Sequence, residues 1–345
     1  MLTMLLLACG RPTTSLSATG EGRLHHEQSG PDWATQNQTI ADTVHVDGGA
    51  HGAIAAVAGS TLQLQLDPPQ EASAQLLPRG AGEARTISFQ AGQAQLELEE
   101  RVGVWDLVVE LPGEPISVPV VTTWDQPIPD TPLYERMLVW TATWVDGLPS
   151  RAVTPADQIE AAEDRIALAT LRGIEELGRT EGRSYGPFPR PKEKDNQAHV
   201  WLDHPRSACG EYRGGFMAMV EQHGVDATWV MMSFKDHSPE RLSMYETREI
   251  AAVGTEPKVW QHFNHVAVEV NGQLYDPTYA LHHPDWQSYE DDLFERYCYG
   301  EDSKCKTPGG WCQQPRPEGS CVPNPPGYDP DDPTMGMKVW RGENY

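Results

Sequence analysis

The chain has 345 residues, enough for about two domains with cores of their own. Its 50 Asp and Glu outweigh 26 Lys and Arg, for a net charge of −24. That balance argues against nucleic acid and anionic membrane surfaces as partners, since both are held through basic patches.

The first nine residues end in Leu6-Leu7-Ala8-Cys9, which resembles a bacterial lipobox whose cysteine is lipidated and becomes the mature N-terminus. No Lys or Arg precedes the apolar run, and the run is short for an export signal, so translation is expected to start upstream. The rival reading is a short disordered start. No other stretch is apolar enough to span a bilayer. Residues 10–40 are rich in Ser, Thr, Gly and Gln, the composition of a flexible tether.

Residues 41–125 change to a period of two. Thr61-Leu-Gln-Leu-Gln-Leu66 and Ala94-Gln-Leu-Glu-Leu-Glu99 alternate, and Val104–Leu111 and Ile116–Val121 follow between Gly and Pro punctuation. Short alternating strands at this spacing predict an antiparallel β-sandwich of immunoglobulin-like type. The segment is expected to be a spacer; its sharper reading is a recognition module for substrate or cell wall. No period of about 20–50 residues recurs, so a solenoid is not expected.

A second domain is expected over 126–290. A Trp- and Pro-containing junction covers 126–152. Thr154-Pro155 then opens a helix through Ile159, Ile166, Leu171 and Ile174, with Gly178 read as its exit. The Pro-rich loop 180–196 comes just before Cys209 and is expected to wall a cleft. Phe216, Met219 and Val220 recur at helical spacing and Gly224 closes the run. With Ser207 as N-cap, Cys209 falls in the first turn, where free N–H groups and the helix dipole favour a thiolate and can stabilise an oxyanion. Gly214-Gly215 weakens that helix, or lets a neighbouring element approach closely.

Asn271-Gly272 between two alternating runs predicts a tight hairpin. A two-residue turn pairs 270 with 273 and sets Asp276 opposite Ala267. His265 and Ala267 share a face because strand side chains alternate, so His265 and Asp276 are diagonal neighbours. Val266, Val268 and Val270 point into the core. A carboxylate so placed can hold an imidazole ring and fix its tautomer. The bland alternative is an ordinary surface pair. His282, His283 and Asp285 after the turn read as a polar loop rather than a metal site. His199, His204 and His223 lack ligand spacing, and Asp291-Asp292 lacks the register of a calcium loop. No metal or cofactor is expected.

Cys298, Cys305, Cys312 and Cys321 fall within 24 residues of the Pro- and Gly-rich tail, 291–345. In an exported chain they read as two disulfides, with three pairings open. The rival is a four-thiolate zinc site, which ordinarily uses two Cys-x-x-Cys pairs. Lipidation of Cys9 and pairing of the tail leave Cys209 as the free thiol.

Ser207-Ala-Cys-Gly210, His223-Gly-Val-Asp-Ala-Thr-Trp-Val230, His265-Val-Ala-Val-Glu-Val270 and Tyr275-Asp-Pro-Thr278 together resemble the transglutaminase-like core of the papain-like cysteine superfamily. The resemblance covers about 155–280. It implies an α+β fold with Cys209 as nucleophile, His265 as general base and then acid, and Asp276 as orienter. A strand led by Gly224 and running to Met232 matches the family's next element. The chain departs from the family pattern in placing Gly210-Glu211 before the aromatic Tyr212. The oxyanion donor is not given by the motif; Gln197 and Trp201 are the upstream candidates.

The expectation is therefore an α+β protein, a β-sandwich followed by a transglutaminase-like domain, exported to a bacterial cell envelope and touching the membrane through its lipid anchor only. Its chemistry would be acyl transfer from a peptide or protein amide through a thioester, with water as the default acceptor and an amine as the transglutaminase alternative. The rivals are a non-catalytic envelope protein that keeps the fold to bind peptide or glycan, and a zinc-stabilised structural lipoprotein.

Overall fold

The computed structural model describes residues 15–20, 22, 24, 43–45, 53–112, 115–186, 197–234, 242–262, 264–299, 305–307, 310–312, 321–323 and 337–341. For 43–45, 233–234, 242–244 and everything from 297 onward only the backbone is described. The chain is mixed α+β with several antiparallel sheets and five α-helices among the described residues. It divides into two compact units: residues 1–126 with 132–154, and 127–131 with 155–345.

In the first unit the strands are β1 (Ser15–Thr19), β2 (Thr43–His45), β3 (Ile54–Val57), β4 (Thr61–Asp67), β5 (Ala72–Pro78), β6 (Arg85–Phe89), β7 (Gln93–Glu97), β8 (Gly103–Glu110) and β9 (Ile116–Thr123). One sheet runs β2-β1-β4-β7 and a second runs β3-β9-β8-β5-β6. Pairing is antiparallel except between β3 and β9. The period of two fixes which face is buried. In β4, Leu62, Leu64 and Leu66 are fully buried while Thr61, Gln63, Gln65 and Asp67 face solvent. Each buried leucine is worth about 1.5–3 kcal/mol. These leucines share one core with Leu76, Phe89, Trp105, Leu107 and Val118 of the other sheet.

Two expectations need correction here. Ser15–Thr19, assigned to the tether, is a strand paired to β4, because Leu16 and Ala18 alternate with polar neighbours and enter the core. The junction carries helix α1 (Glu135–Trp144), which buries Met137, Leu138, Thr141 and Ala142 and belongs to the first unit.

The second unit opens with α2 (Ile159–Thr180) and continues through β10 (Ser184–Tyr185), α3 (Gln197–Asp203), β11 (Arg206–Ser207), α4 (Cys209–Glu221), β12 (Thr228–Phe234), β13 (Leu242–Thr247), β14 (Gln261–His262), β15 (Asn264–Val270), β16 (Gln273–Asp276), β17 (Leu281–His283), α5 (Trp286–Leu293) and β18 (Phe294–Tyr299). Short tail strands follow: β19 (Cys305–Thr307), β20 (Gly310–Cys312), β21 (Cys321–Pro323) and β22 (Met337–Arg341). The sheet that matters most runs β17-β16-β15-β12-β22, all antiparallel; a second runs β14-β13-β18-β21.

The hairpin has the expected register, with Val270 opposite Gln273 and Val268 opposite Tyr275. Asn271 and Gly272 both take positive φ, +50° and +75°, as a primed turn requires. Asp164 of α2 accepts hydrogen bonds from the side chains of Asn271 and Gln273, which ties the turn to the helix. However, β15 lies between two strands and is buried on both faces. His265 and Ala267 share a face with Val230 and Met232, and Tyr245, Tyr279, Tyr289 and Phe294 cluster with that face. The other face carries Tyr275, stacked on Phe216 of α4 at 5.7 Å.

Gly178 is not a helix exit. The helix continues to Thr180, and a Cβ on Gly178 would lie 2.6 Å from Val253 Cγ1, so the glycine admits a close neighbour. The β-strand after Gly224 begins at Thr228. His282 and His283, read as loop, end strand β17; Asp285 caps α5 by accepting from the Ser288 N–H at 2.7 Å. The tail is woven into the sheets, since β22 pairs with β12 and β21 with β18. No described helix is long and apolar enough to cross a membrane.

Candidate active site

Helix α4 starts at Cys209 itself. Its N-cap is Ala208, in extended conformation, and not Ser207, whose hydroxyl donates to the His204 carbonyl at 3.3 Å and which pairs in β11. Alanine has no capping oxygen. The carboxylate of Glu211, buried in the first turn, reaches back to accept the Ala208 N–H at 3.0 Å. Cys209 is half-buried and unbonded to any other sulfur.

The strand pair delivers the other two residues. His265 and Asp276 are both fully buried, and His265 Nε2 donates to Asp276 Oδ2 at 2.7 Å. The surface-pair alternative is thereby removed. The carboxylate is held from two further directions: the Tyr289 hydroxyl donates to the same Oδ2 at 2.7 Å, and the Thr278 N–H donates to Oδ1 at 2.9 Å. His265 Nδ1 is buried with no hydrogen bond of ordinary geometry. Burial alone would lower the His265 pKa. The charge and hydrogen bond of Asp276, then the hydrogen bond and charge of Cys209, outweigh it and raise the value to about 10. The imidazole thus has a carboxylate on one side and the thiol on the other.

A ring of aromatic groups surrounds this centre. Parallel pairing of β10 with β11 brings Tyr185 to the thiol's side, 4.9 Å from Trp260 and 6.2 Å from Tyr279 between ring centroids. Only 180–186 of the expected cleft wall lies within the described residues. His262 packs 4.9 Å from His265 and hydrogen-bonds the Tyr279 hydroxyl. Burial, then the charge of His265, drives the His262 pKa well below its usual value, so this second histidine is neutral. Tyr279 and Tyr289 are pushed well above the phenol range, chiefly by burial, and remain O–H donors.

The two oxyanion candidates separate. Trp201 is fully buried, under the Arg183 guanidinium at 4.3 Å and edge-on to Tyr212 at 6.1 Å. Gln197 lies at the thiol's turn: a Cβ on Gly210 would be 3.1 Å from Gln197 Nε2. Gly214 and Gly215 are what allow this approach. Added Cβ atoms would sit 2.6 Å from Gln197 Cβ and 2.7 Å from the Trp201 ring. Arg183 fixes the other end of α3, donating to the Trp201 and Leu202 carbonyls at 2.5 and 3.1 Å.

Tyr289, His262, Tyr279 and Arg213 escaped the sequence reading. Tyr279 follows Asp276-Pro-Thr and His262 precedes His265 by three residues, so proximity to the motifs was a usable signal for both. Tyr289 lies on α5 and gives no local sign. Cys9 lies outside the described residues, as do the side chains of Cys298, Cys305, Cys312 and Cys321. Among the described residues no three His, Cys, Asp or Glu side chains are placed to share a metal ion. No family model and no curated protein sequence matches this chain.

Proposed function

We propose that the second unit is a transglutaminase-like cysteine acyltransferase acting on a peptide or protein amide, with hydrolysis as its default outcome. One observation carries the reading: a buried His265 bonded to Asp276 and raised to about 10, with the free Cys209 of a helix start as its remaining partner. A histidine held protonated next to a thiol supports a thiolate–imidazolium pair.

The sulfur adds to the amide carbonyl, and the oxygen becomes an anion facing the first N–H groups of α4, which lack intrahelical acceptors. His265 gives its proton to the leaving amine as the C–N bond breaks, leaving a thioester. Water then adds with His265 as base, and collapse releases the carboxylic acid and the thiol. An amine in place of water yields a new amide. Asp276, held by Tyr289 and Thr278, keeps Nε2 occupied so that Nδ1 serves the sulfur.

The first unit is read as an immunoglobulin-like spacer, and the lipobox-like Leu6–Cys9 as an export and anchoring signal. The test of the activity is incubation with glutamine- and asparagine-containing peptides and a labelled primary amine. Wild type is expected to release ammonia or free acid, or to incorporate label, and Cys209→Ala to do neither. Equal turnover by the two proteins would refute the reading.

A further inference from the structure

A side-chain amide has two faces that look alike and act oppositely: its oxygen accepts and its nitrogen donates. An oxyanion site needs the nitrogen. In α3, Gln197 Oε1 accepts a hydrogen bond from Arg213 Nη2 of α4. A guanidinium has five N–H donors and no acceptor, so only the oxygen of the amide can face it. With that oxygen committed, the NH2 is turned to the opposite side. There it is the amide atom closest to Gly210, the residue after the thiol: an added Cβ would lie 3.1 Å from Nε2, against 3.7 Å from Oε1.

Arg213 is in turn held in place. It is half-buried and its guanidinium lies 5.6 Å from the Trp229 ring; burial, the largest influence, lowers its pKa from the ordinary arginine value, against the opposing pull of the charges of Cys209, Glu211 and Glu221. Gly214, the next residue, has no Cβ where one would strike Gln197 Cβ at 2.6 Å and Ala198 N at 2.8 Å. Two consecutive residues of α4 therefore serve one neighbour, one by bonding it and one by making room for it.

We propose that Arg213 is a positioning residue: it locks the Gln197 amide with its nitrogen toward Cys209, so that Gln197 Nε2 and the backbone N–H groups of the α4 start receive the oxyanion together. This rests on Cys209 being an acyl-accepting nucleophile, and adds to that reading the means by which the donor is oriented.

The experiment compares two reactions of the full chain. Acylation by p-nitrophenyl acetate passes through an oxyanion. Alkylation by iodoacetamide displaces iodide at a tetrahedral carbon and forms none, so it reports the thiol and imidazole alone. Gln197→Ala is expected to slow acylation about 100-fold while leaving Cys209 alkylation nearly unchanged. Arg213→Met is expected to slow acylation at least about tenfold more than alkylation, and Arg213→Lys, which retains a donor, to recover most of that loss. In the Gln197→Ala background Arg213→Met should slow acylation no more than it slows alkylation, because the group it orients is gone. The proposal is overturned if Arg213→Met slows both reactions equally, since Arg213 then acts only on the sulfur's charge. It is also overturned if the two substitutions add in full, or if Gln197→Ala leaves acylation intact. A wild-type protein that alkylates slowly and does not acylate would instead remove the nucleophile itself, and this inference with it.

Discussion

The raised pKa of His265 makes a pH dependence of stability that can be worked out in sign and size. An unfolded histidine titrates near 6.5, and His265 in the folded chain near 10. Between those values the folded protein holds a proton that the unfolded chain has released. The stabilisation is complete below about pH 6.5 and is lost as pH rises toward 10, at about 1.4 kcal/mol for each pH decade. From pH 7 to 9.5 the loss is about 3 kcal/mol. Other groups are largely separable from this window. Glu135 and Glu221, raised to about 7 chiefly by burial, finish losing their contribution by about pH 8, and do so equally with and without Asp276. His223, lowered to about 3 by burial, acts on the acid side. The buried tyrosines, pushed upward, act only above about 10. The remaining group, Cys209, is removed as Cys209→Ala, which closes the window somewhat earlier because the sulfur's share is lost. The assay is urea unfolding followed by tryptophan fluorescence at intervals across that range. Cys209→Ala is expected to lose stability steadily, and Cys209→Ala/Asp276→Asn, without the carboxylate that raises His265, to show little slope. A flat or rising curve in the protein that retains Asp276 would refute the buried ion pair.

Tyr289→Phe removes one donor from a buried carboxylate and leaves the ring in place; a loss of about 2 kcal/mol in unfolding free energy is expected, with acylation slowed about tenfold. Gly178→Ala should destabilise by about 1–3 kcal/mol, as read by thermal melting, although alanine is the better helix former, because its Cβ meets Val253 at 2.6 Å. The backbone sets Cys298 opposite Cys321 and Cys305 opposite Cys312 across antiparallel ladders, so of the three pairings these two are expected. Cleavage after Arg296, Glu301, Lys304, Lys306 and Glu318 places each cysteine on its own peptide, and mass spectrometry without reduction should find 297–301 linked to 319–338 and 305–306 linked to 307–318. Bound zinc with four free thiols would contradict this.

What could be read from the sequence was what depends on near neighbours in the chain. The Asn271-Gly272 turn and the alternation on either side set the hairpin register, and the register alone made His265 and Asp276 diagonal neighbours. The alternating leucines of Thr61–Asp67 told their buried face for the same reason. The burial of His265 was not legible, because it depends on what covers the strand: β12 and β16 on its flanks, Tyr245 and Phe294 from the second sheet, and Tyr289 from α5. Those residues reach the site through tertiary contacts with no spacing rule of their own.

Glycine marks the boundary between the two kinds of information. Gly178 and Gly214-Gly215 look alike in sequence, as weak points in helical patterns. Punctuation is the local explanation, and at Gly272 and Gly224 it holds, since both take positive φ, +75° and +78°. At Gly178, Gly214 and Gly215 the helix runs on, and the missing Cβ is filled by Val253, Gln197 or Trp201. A glycine inside a helix costs about 1 kcal/mol against alanine, and two in a row about twice that. A helix that carries this cost beside its first turn makes sense where another element must come closer than a methyl group allows. In α4 that element is α3, and the side chain it brings is Gln197. The glycine pair that weakened the helix prediction is therefore the sequence's own sign that a second helix was to lie close against α4, visible only once that partner is known.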